Sequence, residues 1–303
     1  GARTELLKIP VVVHIVWKNS SENLHDSIIY SQIDQLNAAY RLNNTNKNDI
    51  RQEFKHLQAD ANIEFELVAI KRVKTNSNFS VSLTNLPDEV KRAESGGSSA
   101  VDPIKHLNIW VCKIQPIAFI GGQILGYAYP PSGLSNWPDG STAPSTNLEG
   151  VVIDYRVFGT HNPNVLTVGG MTYHAIGNTT VHEVGHYLGL RHIWGDGTSI
   201  FGGNSCNVDD GIADTPNQGS QTAGTCNKSQ NTCIDSANDH PDMIENYMDY
   251  SSESCQNTFT IGQVGLMRSV LKLQRKLLAI STINAANVES NISIFPNPTS
   301  DFV

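Results

Sequence analysis

The chain is short of positive charge, of long apolar runs and of closely spaced cysteine pairs. Against 29 Asp and Glu it sets only 21 Lys and Arg, for a net charge of −8. Phosphate backbones are gripped by clustered cations, so this balance argues against a nucleic-acid partner. No apolar stretch approaches the roughly 20 residues of a membrane-spanning helix, so no transmembrane segment is expected. Residues 1–5 carry a basic residue without the long apolar core of a signal peptide, so the chain reads as a mature or trimmed form. None of the five cysteines forms a CxxC pair, which counts against a second, cysteine-based zinc cluster. Cys206, Cys226, Cys233 and Cys255 share one loop-rich stretch and point to two disulfides, hence to a compartment outside the cytosol. Cys112, alone in an apolar run, is expected to be a buried free thiol. No internal repeat is found.

What the chain does have is a dense motif at 178–197. His182, Glu183, His186, Gly189 and His192 spell HExxHxxGxxH. Helical positions four apart share a face, so His182 and His186 can grip one metal ion. Glu183 stands one residue along, able to reach a water at that ion without ligating it. Gly189 tolerates positive φ, so the helix can stop there and turn, bringing His192 to the same ion. Three imidazoles with one position left open are the pattern of catalytic zinc, whereas structural zinc sites fill all four. Five fixed residue types in eleven positions arise by chance on the order of once in ten thousand or less.

At 303 residues the chain can bury a sizeable core as one large domain or two lobes. Residues 6–17 are β-branched and apolar, a strand buried on both faces, with His14 as a packed core residue. Asp26 is expected to cap a helix carrying Ile29, Ile33, Leu36 and Tyr40 at helical spacing. Residues 62–73 alternate as a second strand. The polar stretch 75–103 reads as connector, flexible at 95–99. Further strands follow at 107–114, 124–130 and 150–155, the middle one an edge strand bounded by Gly and Pro. After His192 regular patterning nearly stops, so 195–258 needs cross-links or metal to stay ordered. Thr260 and Gln263 then form a capping box ahead of one late helix. The implied fold class is α+β: a twisted, mostly parallel five-stranded sheet with the active-site helix beneath it, then an irregular part. The expected boundaries are an N-terminal lobe at 1–192, a C-terminal lobe at 193–280, and a linker at 281–303.

The motifs reach further than the histidines. A methionine turn, Asn246-Tyr247-Met248-Asp249-Tyr250, follows the zinc motif as it does throughout the metzincin metalloproteases. Together with Asp210-Gly211-Ile212-Ala213-Asp214-Thr215-Pro216 and Cys255-x₃-Phe259-Thr260-x-Gly262-Gln263, the chain resembles the pappalysin family over roughly residues 8–275. The likeness is greatest to its microbial, ulilysin-like and mirolysin-like members. That resemblance implies a secreted zinc metalloendopeptidase with a cleft between the two lobes, acting on protein or peptide substrates. It pairs Cys206 with Cys233 and Cys226 with Cys255, and places a structural calcium ion at Asp210, Ile212 and Thr215, oxygen donors of the kind calcium takes. It makes Met248 an apolar floor beneath the zinc and Tyr250 a donor to the oxyanion.

Substrate would run extended along the edge strand at Gly126, Tyr127 and Ala128, adding itself through backbone hydrogen bonds. Glu253 stands where the family's specificity acid, usually aspartate, would select Arg or Lys after the cut. Phe295-Pro296-Asn297-Pro298-Thr299 resembles the start of a bacterial type IX secretion sorting domain. Three other readings compete. One is a different metzincin protease, and another a calcium-stabilised binding domain with incidental zinc. The third is a non-catalytic adhesin or binding module that retains the zinc fold. Loss of Glu183 or of a ligand would have marked this last one, and all are present.

Overall fold

The computed structural model describes residues 5–82, 85–117, 122–168, 170–195, 205–235 and 239–281. In chain order its elements are β1 (Leu7–Trp17), α1 (Asp26–Tyr40), β2 (Ile63–Lys74), β3 (Phe79–Ser80), β4 (Leu107–Cys112), β5 (Ile114–Gln115), β6 (Gly126–Ala128), β7 (Val151–Asp154), β8 (Leu166–Val168), β9 (Met171–Tyr173), α2 (Asn178–Tyr187), α3 (Ile261–Lys272) and β10 (Ile280–Ser281). The five expected strands form one sheet in the order β2-β1-β4-β7-β6. Pairing is parallel throughout except at β6, which runs antiparallel along β7. To these five, β10 adds two residues antiparallel to Leu7 and Lys8. Strand β1 is apolar on both faces because both faces are covered.

On one face Ile9, Val11, Val13 and Ile15 meet α1 and α2 in the main core. The two helices are tied by Tyr40 Oη, which donates to Val181 O (3.1 Å). Gln32 on α1 reaches Gly177 O and the Thr180 hydroxyl. On the other face Val16, Trp110, Cys112, Tyr127 and Val152 meet Phe79, Val81 and Val90. That second layer corrects the reading of 75–103 as a loose connector. Its few apolar residues fold back onto the sheet, Ser98 is buried, and Gly97 packs where a Cβ would lie 2.2 Å from Val90 O. His14 is a core residue, stacked on Trp110 and bonded to Ser98 Oγ (2.8 Å) and Asn108 Oδ1 (2.9 Å).

Two local expectations also change. The cap of α1 is His25, whose ring accepts from Ser27 N, while Asp26 opens the helix and pairs with Arg72. The strand expected at 107–114 breaks at Lys113, and Ile114–Gln115 turns away to pair with β3. Beyond His192 no described residue before α3 lies in a named helix or strand. That stretch is held by the Cys206–Cys233 and Cys226–Cys255 disulfides, while Cys112 is a buried free thiol. It is also held by a two-pronged pair, Arg51 Nε and Nη2 each 2.8 Å from a Glu245 oxygen. Met243, Tyr247 and Met248 from this part, and Met267 from α3, join the same core as β1 and α1.

Candidate active site

Helix α2 lies under β6 and β7, and every residue from Thr180 to Tyr187 is buried. It ends as the sequence requires: Gly189 has φ +96°, and Leu190 N donates back to Gly185 O (3.0 Å). This αL exit returns the chain so that His192 meets His182 and His186. The His192 Nε2 atom is 3.1 Å from Nε2 of each of the other two. His182 Nδ1 faces Tyr247 O (2.7 Å) and His186 Nδ1 faces Leu190 O (2.8 Å). Carbonyl oxygens only accept, so both Nδ1 atoms carry the proton and both Nε2 atoms present lone pairs. One Nε2 proton on His192 would have to be shared between two such lone pairs, whereas a cation satisfies all three. Tetrahedral zinc bonds of about 2.0–2.1 Å separate nitrogens by about 3.3–3.4 Å, near the spacing found. Burial, then the neighbouring His186 and His192, push His182 well below 6.5 and favour its neutral form. These three are the metal-competent group among the described residues.

Glu183 points toward the edge strand. A Cβ on Gly126 would lie 2.9 Å from Glu183 Cγ, so only glycine lets β6 and the glutamate approach this closely. Burial pushes the Glu183 carboxyl up to about 8. Tyr250 is 45% exposed, with its ring 4.8 Å from that of His192 and 5.5 Å from that of His182. Met248 is fully buried, and its Sδ lies 2.5 Å from where a Gly185 Cβ would stand. Met248 is therefore seated against a glycine of α2.

The remaining site residues fall in two places. Asp210, Ile212 and Thr215 come together as one turn: Asp210 Oδ1 accepts from Ile212 N and from Thr215 Oγ1, each at 2.9 Å. The other oxygen, Oδ2, is buried without a partner, and burial pushes the carboxyl up to about 7. An orphaned carboxylate oxygen beside a hydroxyl and a carbonyl fits a hard cation. Glu253 sits at the N-terminus of α2. It accepts from Ile176 N (2.9 Å), Thr179 N (2.7 Å) and Thr179 Oγ1 (2.6 Å). Gly177, the residue that opens the helix, has no side chain to do this, so an acid from 74 residues away supplies the cap.

Sequence reasoning missed three neighbours. Trp194 stacks on His192 (4.2 Å, 6°). Trp137 stands edge-on to His186 and donates from Nε1 to Gly189 O (2.8 Å). Asp214 caps the late helix through Thr260 Oγ1 (2.7 Å) and Gly262 N (2.8 Å). A tryptophan two residues past the last ligand was the one available signal; the other two depend on chain reversal.

A family model described as pregnancy-associated plasma protein-A, Peptidase_M43, matches residues 98–272. An extracellular metalloprotease of Colletotrichum graminicola is 32% identical over 268 residues, covering 86% of this chain and 76% of that protein. One from Sordaria macrospora is 29% identical over 272 residues, covering 89% and 76%. Mature mirolysin of Tannerella forsythia, solved in complex with a cleaved peptide, superposes with a TM-score of 0.75 at 36% identity, covering 96% of this chain and 100% of that one. A mutant of Tannerella forsythia promirolysin superposes with a TM-score of 0.74 at 36% identity, covering 94% of this chain and 87% of that one. The sheet, the buried zinc-type helix and the paired cysteines thus have one source: the chain belongs to the M43, or pappalysin, family of metalloendopeptidases.

Proposed function

We propose that the chain is a secreted zinc endopeptidase in which Glu183 moves the protons of peptide hydrolysis. The observation that carries this is the convergence of three Nε2 atoms beside Glu183. Zinc, when bound there, supplies a Lewis acid that polarises the scissile carbonyl and acidifies water. Glu183 accepts a proton from the attacking water and passes it to the departing amine. The Tyr250 hydroxyl donates to the oxygen on which negative charge develops. The peptide lies extended on β6, whose strand neighbour among the described residues is β7, with Gly126 and Ala128 as its backbone partners.

Glu253 is the basis for cleavage before Arg or Lys. A carboxylate offers about four acceptor positions and the α2 terminus occupies three, leaving one for a cationic side chain. A structural calcium ion belongs on Asp210, Ile212 and Thr215, in support of which stands the orphaned Asp210 Oδ2. Secretion is supported by the relatives' description as extracellular and by the two disulfides. No described helix is long and apolar enough to cross a membrane. The type IX sorting segment at 295–299 and the linker at 281–303 lie outside the described residues, apart from Ser281, which ends β10. The division at His192 into an N-terminal and a C-terminal lobe is retained as the two walls of the cleft.

Glu183→Ala is expected to bind zinc stoichiometrically and to lose casein cleavage by at least 10²-fold. Metal analysis and digestion on one sample, with and without chelator, check this. Normal turnover by that variant sinks the mechanism, and chelator-insensitive cleavage sinks the metal.

A further inference from the structure

Among the buried cations that the mechanism leaves unused is Lys91. Lys91 is 2% exposed and lies on the face of the sheet opposite α2. Its Nζ is 2.9 Å from Asp88 Oδ1 and donates to Leu148 O at 2.6 Å. It also stands over the rings of Tyr129 (4.6 Å), Tyr127 (4.7 Å) and Trp110 (5.6 Å). Asp88 accepts from Tyr127 Oη at 3.0 Å and, through its other oxygen, from Tyr129 Oη at 2.8 Å. Both oxygens of one carboxylate are thus engaged by two residues of the same short segment.

Burying a cation is costly unless it is paired and hydrogen-bonded, and apolar packing of like volume would stabilise a core as well. Geometric definition is what such a pair adds, and its position shows what it defines. Strand β6 is three residues long, has β7 as its neighbour in the sheet, and leads into Pro130 and Pro131. Three residue pairs alone hold an edge strand loosely. Alternate residues of a strand point to the same side. Tyr127 and Tyr129 face back onto Asp88 and Lys91, while Gly126 abuts Glu183 and Ala128 packs toward the main core. Through Leu148 O the same ammonium also ties down the approach to β7. Asp88 and Lys91 lie outside the stretch, 98–272, that the family model matches.

We propose that Lys91 and Asp88 are positioning residues: they form a post behind β6 that fixes its height above Glu183 and so sets the affinity for extended peptides. This rests on the reading above that substrate adds to β6. Steady-state kinetics of the full chain with zinc test it, using wild type, Lys91→Met, Asp88→Asn and the milder Tyr129→Phe. Two substrates are compared, a decapeptide that spans β6 and a doubly blocked dipeptide that offers the scissile bond alone.

In wild type the decapeptide has the lower KM. The expected result is a KM for the decapeptide raised about tenfold in Lys91→Met and Asp88→Asn, and about threefold in Tyr129→Phe, with kcat within about twofold. KM for the dipeptide is unchanged in Lys91→Met and Asp88→Asn. Tyr129→Phe loses only a hydroxyl from a half-buried ring, so it decides the matter if the charge variants fail to fold. Equal losses on both substrates, or unchanged KM in every folded variant, overturn the proposal. Equal KM values for the two substrates in wild type overturn the edge-strand reading itself, and the post's role with it.

Discussion

Replacing Glu253 by glutamine separates two roles that one carboxylate is proposed to hold. The amide keeps one oxygen, enough to accept from Thr179 N and Thr179 Oγ1, now 2.7 and 2.6 Å from Glu253 Oε1. Its other end turns an NH₂ toward Ile176 N, 2.9 Å from the present oxygen, so donor faces donor. The loss is one charge-assisted hydrogen bond, worth about 1.5–3 kcal/mol, plus the favourable placement of an anion at a helix N-terminus, about 0.3–1 kcal/mol. Glu253 is only half-buried, which favours the low end, about 2 kcal/mol. For a chain of this size that is a fall in Tm of about 3 °C. Differential scanning calorimetry at saturating zinc reads the cap, and a peptide library on the same sample reads the residue after the cut. Arg and Lys are expected to lose their advantage there, since the neutral amide offers no charge to a cation. An unchanged Tm refutes the helix-capping argument. An unchanged preference refutes Glu253 as the selector, whatever happens to Tm.

Gly126→Ala places a methyl 2.9 Å from Glu183 Cγ, Ile153 Cδ1 and Val152 O; a displacement of about 1 Å at a proton-transfer group lowers kcat about 10²-fold. Metal analysis should show full zinc, and kcat within twofold of wild type would mean the strand relaxes away from the glutamate. Calcium should raise the Tm of wild type, by an amount equivalent to about 2.7 kcal/mol at 100 times its dissociation constant. Asp210→Asn, which removes the charge next to the orphaned oxygen, should abolish that response; a calcium-independent wild-type Tm at constant zinc removes the ion from the loop. His14 is lowered from 6.5 to about 4 by burial. The unfolded chain therefore protonates first, so the stability is complete above pH 6.5 and is lost as pH falls toward 4, about 3 kcal/mol in all. Urea unfolding at pH 7 and pH 4 should show His14→Gln losing that much less than wild type over the interval.

How much of this was written in the order of residues depends on the range of the interaction. The zinc helix, its Gly189 exit, the Thr260–Gln263 cap and the buried β1 strand are local patterns, set by helical and strand periodicity within a dozen residues, and they stand in the structure where the sequence predicts them. The family resemblance carried the two disulfide pairings, which neither spacing nor composition could choose. The second layer over 75–103 was illegible because its apolar residues are too sparse to show a period. They are buried by the far face of a sheet completed only later in the chain.

For the same reason nothing in the order of residues showed that Glu253, the proposed selector, also has both oxygens held at the N-terminus of α2. Nothing in the polar stretch 75–103 marks Lys91 as buried, although it is. The amino-acid order by itself determined which atoms can hold a metal and move a proton, since those ligands lie within eleven residues of one another. Only the tertiary structure decided what surrounds them: a glycine against Glu183, a remote acid on the helix terminus and an ion pair behind β6. These contacts join segments brought together by chain reversal, and no local periodicity records a partner that is far away in the chain.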